Sequence, residues 1–210
     1  MNIGIIGAGT VGGTLGRAWA RRGHQILYGA RDPSEGRVRE LREKLGADAK
    51  VGTVAGAAAF GEVILLATPW SGTEQALRSA GNLSGKIVLD ATNPLKADLS
   101  GLALGHTTSG GEQVAAWAAG AKVVKIFNTT GFGNMENPKY GETAATMFYC
   151  GDDEAAKATG ARLAADLGFE PVDAGPLAQA RTLEPLALLW ISLAYFQKQG
   201  PNIAFKLLRR

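Results

Sequence analysis

Three glycines in the stretch "IGIIGAGTVGGTLGRAW" (residues 3–19) stand at the spacing G-x-G-x-x-G, after an apolar run and before a helix-like one. That order is the confirming context for a nucleotide-binding turn. Gly7 permits a tight turn, Gly9 lets backbone approach a pyrophosphate, and Gly12 allows a helix to pack closely on a strand. The amides near Thr10 and Val11 then face phosphate at the positive end of the helix.

An NAD-selective protein places Asp or Glu about 20 residues beyond such a turn, to hold the ribose 2′-hydroxyl. Here the region reads "YGARDP" (28–33), with Ala30 and Arg31 at that place. An arginine pairs with a 2′-phosphate in bidentate fashion, and small neighbours leave it room. The expectation is NADP(H), with Arg31 as the main determinant. Asp32 stands one position late and would serve an NAD ribose only if the loop shifts.

In an open α/β sheet the ligand lies outside the carboxyl ends of the strands. Those ends read "ATPW" (67–70), "ATNPL" (91–95) and "IFNT" (126–129). Thr68, Asn93, Asn128 and Thr129 are candidates for the nicotinamide, its ribose or a second ligand, with Pro94 beside them. Pro69 and Trp70 offer a flat apolar wall, although a tryptophan there caps a core equally well.

Acid–base machinery is sparse. No Ser-His-Asp or His-Glu metal arrangement is recognisable, and a metal site is not expected. His24 precedes the second strand at the wrong end of the sheet. His106, in "LGHTTSGGE", is a candidate proton shuttle or an ordinary loop histidine. The single cysteine, Cys150, allows no internal disulfide and reads as a buried thiol. Carbonyl reduction requires a proton donor near the oxygen. Hydride transfer between two aromatic cofactors rests instead on stacking the rings at the right distance.

These residues need a scaffold, and the rest of the chain describes one. Strands are expected at 2–6, 25–30, 62–68, 86–92 and 122–128, with helices at 11–22, 33–46, 54–60, 71–80 and 110–119. Pro33 falls near the start of the second helix and Gly46 after its end. Strands apolar on both faces and alternating with helices indicate a Rossmann-type doubly wound parallel sheet. After Asn128 the texture changes. "TTGFGNMENPKYGETA" (129–144) reads as a loop. A strand (145–150), a helix (152–167), a short strand (169–173) and a long apolar helix (176–198) follow. The expected organisation is an NADP-binding domain over 1–128 and a small C-terminal α+β extension over 129–210, packed on it and supplying second-cofactor and dimer contacts.

The totals agree with a soluble α/β protein. Across 210 residues the net charge is +3, and 46% of residues are apolar. The basic residues are scattered without interleaved aromatics, which argues against nucleic acid. The longest apolar stretch, "PLALLWISLAYF" (185–196), is short of a membrane span. No signal peptide is recognisable, so a cytoplasmic location without membrane contact is expected.

Taken together, "GARDP", "VILLATPW", "DATNPL", "VVKIFNT" and the tail "GFEPVDAGPLAQARTLEPLALLWISLA" (168–194) resemble the F420-dependent NADP oxidoreductase family. The same fold serves as the NADPH-binding domain of the STEAP metalloreductases, which pass electrons to a flavin. The resemblance implies hydride transfer between NADP(H) and the deazaflavin F420 or a flavin, with the second ring near 69–70, 93–95 and 129–135. It also implies a homodimer, with the apolar C-terminal helix as candidate interface. Two other readings remain open at this stage. One is an NADPH-dependent reductase of a small imine or carbonyl. The other is a non-catalytic NADP(H)-sensing protein.

Overall fold

The computed structural model describes residues 1–32 and 34–210; Pro33 lies outside the described residues. Near-continuous apolar runs form strands buried on both faces. These are β1 (Asn2–Ile6), β2 (Gln25–Ala30), β4 (Val63–Leu66), β5 (Ile87–Asp90) and β6 (Lys122–Lys125). Between β2 and β4 lies a strand the sequence pattern did not signal, β3 (Lys50–Thr53). It is four residues long, sits at the sheet edge and carries no apolar run, so the usual signature is missing.

Helices connect the strands: α1 (Thr10–Ala20), α2 (Glu35–Leu45), α3 (Val54–Phe60), α4 (Thr73–Ala80) and α5 (Gly110–Trp117). Thr53 caps α3 by accepting the Gly56 N–H, and Ser109 caps α5 by accepting that of Glu112.

The expected loop after Asn128 is more ordered than its Gly- and Asn-rich composition implied. It holds α6 (Phe132–Glu136) and a two-residue hairpin of β7 (Lys139–Tyr140) and β8 (Thr143–Ala144). The chain continues through β9 (Thr146–Gly151), α7 (Glu154–Leu167), β10 (Glu170–Asp173) and α8 (Ala180–Ile191), which a π-helical turn over Ser192–Phe196 extends.

The main sheet has eight strands in the order β10-β9-β6-β5-β4-β1-β2-β3. From β3 to β6 every pairing is parallel; β9 joins β6 antiparallel and β10 joins β9 parallel. The segment after Asn128 therefore continues the same sheet. The chain runs β1→β2→β3 to one side and then returns to place β4 beside β1. That reversal opens a crevice at the carboxyl ends of β1 and β4. One core cluster, around Trp19, Leu65, Leu89 and Phe127, joins α1 and α7 to the sheet. A second, around Leu66, Val88, Val114 and Leu183, joins α4, α5 and α8.

Candidate functional site

The glycine turn sits at this reversal. Gly7 has φ +106°, and a Cβ there would lie 2.5 Å from the Ala67 carbonyl at the end of β4. A Cβ on Gly12 would lie 2.0 Å from the Gly7 carbonyl oxygen, so α1 packs on its own turn only because that side chain is absent. Gly9 differs: it is exposed, and a Cβ there would meet nothing within 4 Å. The space beside it is open to a ligand. No side chain caps α1 and its first turn has no acid. The amides of Thr10, Val11 and Gly12 lack intrahelical acceptors and form a ready anion cradle.

Arg31 extends from the end of β2 and is exposed. Its Nη2 lies 3.7 Å from the position a Cβ on Gly72 would take. Because β1 lies between β2 and β4, the guanidinium leans across the mouth of β1 toward the turn after β4. Ala30, next to Arg31 in the chain, is buried. The Asp32 carboxylate is engaged locally: it accepts the Ser34 N–H at 2.9 Å and the Ser34 hydroxyl at 3.0 Å.

The other strand-end residues are placed unequally. The Thr68 hydroxyl bonds that of Thr73 at 2.9 Å, and Thr73 in turn donates to the Pro69 carbonyl. Pro69 is exposed. Trp70 is half-buried, with its ring 5.3 Å from that of Trp117 in α5. Pro94 and Thr129 are buried, Pro94 beneath Gly110. Asn93 and Asn128 bond each other: Asn93 Nδ2 donates to the Asn128 carbonyl at 2.9 Å, and Asn128 Nδ2 donates to Asn93 Oδ1 at 3.1 Å. Asn128 Nδ2 also donates to the Leu183 carbonyl, while Asn128 Oδ1 is buried without a partner.

His106 is exposed in the loop after β5 with φ +61°. His24 lies before β2, 3.5 Å from Asp166 of α7. Burial pushes the Cys150 thiol up to about 12, and its Sγ donates to the Leu177 carbonyl.

Sequence reasoning missed a buried charge cluster beneath the asparagine pair. Lys125, fully buried at the end of β6, pairs with Asp90 Oδ2 at 2.7 Å and Glu184 Oε1 at 2.9 Å. It also donates to the Thr92 carbonyl at 2.8 Å. Asp90 Oδ1 accepts the N–H and hydroxyl of Thr92. The Glu184 oxygens accept the N–H groups of Gly110 and Gly111, at the start of α5, both at 2.9 Å. Burial works against the Lys125 ammonium, but Asp90 and Glu184 more than offset it and raise its pKa. The signal was present in the sequence. One charge interrupts each of three apolar runs, "KIVLDAT", "KVVKIFN" and "LEPLALLW", and a charge inside a core needs a partner.

A glycine turn at the reversal of a parallel doubly wound sheet, with an uncapped helix start against it, marks a dinucleotide-binding Rossmann-type fold, and the solved structures the chain matches place it in the class of NADP-dependent oxidoreductases. Within that class, the chain belongs to the F420-dependent NADP oxidoreductase family. The family model for NADP oxidoreductase, coenzyme F420-dependent, matches residues 2–94. A solved structure from Arthrobacter sp. FB24, of a protein proposed to be an F420-dependent NADP reductase, is 34% identical; the match covers 100% of both chains with a TM-score of 0.90. Hypothetical protein SMa0349 from Sinorhizobium meliloti is 26% identical, with 100% of this chain and 96% of that one covered and a TM-score of 0.75. Metalloreductase STEAP3 of Rattus norvegicus is 32% identical over 190 residues. That match takes in 89% of this chain and 37% of the relative, so the chain spans little more than a third of that protein's length. The imine reductase of Streptomyces aurantiacus, 15% identical, shares the fold at a TM-score of 0.62, with 94% and 65% of the two chains covered.

Proposed function

We propose that this protein transfers a hydride between NADP(H) and a deazaflavin (F420) or flavin. The observation that carries the nucleotide half is Arg31: it stands exposed where a ribose-selecting acid would stand, and neighbouring Asp32 is taken up by Ser34. The open space at Gly9 and the uncapped start of α1 fit a pyrophosphate. When bound, NADPH supplies a hydride and is left with a cationic nicotinamide ring. The chain's own work is to hold and exclude. Gly9, Thr10, Val11 and Gly12 seat the pyrophosphate, and Ala30 and Arg31 the 2′-phosphate end. Thr68, Pro69, Trp70, Asn93, Pro94, Asn128 and Thr129 shape the ring end, whether by contact or from beneath.

The acceptor half is supported by the family and by the Arthrobacter relative's description. The rigid strand ends also support it: their polar side chains are mostly engaged with one another and offer support rather than acid–base catalysis. Self-association into a homodimer belongs to the same reading, through the exposed face of α8.

The test follows NADPH oxidation by the purified protein with F420, FMN and FAD in parallel. Rapid NADPH-selective loss of the deazaflavin absorbance is the expected result. Turnover with flavin alone would assign the flavin branch. NADPH binding without turnover on any of the three would overturn the acceptor assignment and return attention to small imines, carbonyls or a sensor role.

A further inference from the structure

The buried cluster carries a net charge. Every described partner of Asp90 and Glu184 is a donor or a cation: the Thr92 N–H and hydroxyl, the Gly110 and Gly111 amides, and the Lys125 ammonium, which Asp90 Oδ2 meets as an ion pair at 2.7 Å without a hydrogen bond. At their ordinary charges, two carboxylates against one ammonium leave one negative charge. The positive end of α5 offsets part of it and holds it in place.

The cluster is wired to the ring end of the crevice. Asp90 and Lys125 grip Thr92, whose neighbour Asn93 bonds Asn128. Leu183, next to Glu184, accepts from Asn128. A second mark of a ligand stands at the same place, since Asn128 Oδ1, like Asp90 Oδ2, is buried with no hydrogen-bond donor to meet it among the described residues. Buried ion pairs are often replaceable by well-packed apolar residues at little loss, so stability alone is a weak reason for such a cluster. A net-negative cluster does have a consequence for a redox ligand, since dihydronicotinamide is neutral and nicotinamide is cationic.

Resting on the NADP(H) reading above, we propose that the Asp90–Lys125–Glu184 cluster is a positioning and electrostatic element that binds the oxidised, cationic ring more tightly than the reduced one, favouring hydride donation from NADPH. The charge is fixed before reaction, so it needs no rearrangement as the ring's charge develops. Only an interaction that differs between the two forms shifts their balance.

The experiment compares the dissociation constants of NADP+ and NADPH by fluorescence titration and calorimetry. In the wild type, NADP+ is expected to bind at least as tightly as NADPH. Glu184→Gln keeps the shape and removes the charge, and the affinity ratio is expected to move toward NADPH by on the order of three- to tenfold. A purely structural role would weaken both ligands alike and leave the ratio unchanged, which would overturn the proposal. If Glu184→Gln fails to fold, Asp90→Asn removes the same charge from β5. If neither variant folds, the wild-type ratio decides: NADPH bound tenfold more tightly than NADP+ would overturn it. Failure of the underlying reading looks different, because the wild type would then bind neither nucleotide.

Discussion

At the scale of single residues, Arg31 and the three glycines separate binding from folding. Arg31 is exposed and touches little of the protein, so replacing it changes recognition without unfolding the chain. Arg31→Glu removes charge-assisted hydrogen bonds to a phosphate and adds repulsion. Such bonds contribute about 1.5–3 kcal/mol, so KM for NADPH is expected to rise about 10- to 100-fold while KM for NADH stays nearly constant. Steady-state kinetics with both nucleotides checks this, and equal changes would remove Arg31 from the specificity argument. The glycines divide in the same way. Gly9→Ala meets open space, so its melting temperature is expected to match the wild type while NADPH affinity falls. Gly12→Ala drives a methyl group to 2.0 Å from the Gly7 carbonyl oxygen. It is expected to lose about 1–3 kcal/mol of stability before binding is considered, read by urea denaturation.

At the scale of elements, helix docking fixes the floor of the site. Glu112 of α5 takes a bidentate hydrogen bond from Arg181 of α8, at 2.9 and 2.6 Å, and one from Ser109. Arg181 foremost, then Ser109, holds the Glu112 carboxyl below the usual carboxylate range, burial opposing. A carboxylate depressed in the folded state stabilises fully above its unfolded pKa, about 4.3, and loses that stabilisation as pH falls through the lower folded value. Glu112→Gln is therefore expected to narrow the stability gap between pH 7 and pH 3 and to cost under about 1 kcal/mol at pH 7, since the pair is partly exposed. Thermal melts across pH read this directly. The same elements show which features a sequence displays. The core strands were legible because parallel strands buried on both faces leave unbroken apolar runs. The glycine turn was legible because backbone geometry and packing require glycine at positions 7 and 12. β3 was not, because an edge strand needs no such run, and α6 was not, because its five residues owe their helix to packing rather than propensity. The Lys125 cluster escaped because its three members lie on β5, β6 and α8, and only the fold brings them together.

At the scale of the whole molecule, the chain closes on itself and leaves one face uncovered. The last residues return to the sheet: the Phe205 carbonyl accepts the Thr146 N–H, and the Ile203 carbonyl accepts from Asn134 and Trp190. Lys206 pairs with Glu170. The outer side of α8 has no such cover among the described residues. Leu189 is 49% exposed and Phe196 53%, and with Leu99, Pro185 and Leu188 they border a groove of about 510 Å³. Residues 185–197 contain no charged side chain. A helix apolar on every side is ordinarily buried, and a contiguous apolar patch marks an interaction surface. An isologous contact sets each residue against the same surface of its partner, so an uncharged patch meets itself without repulsion. The protein is thus expected to be a dimer by light scattering at micromolar concentration. Leu189→Glu, at an exposed position, is expected to leave the fold intact and yield monomers, because it places like charges within the contact. A wild type still monomeric at 100-fold higher concentration would overturn the dimer, and a Leu189→Glu variant still dimeric would move the interface away from α8; either result leaves the apolar face of α8 for the second cofactor.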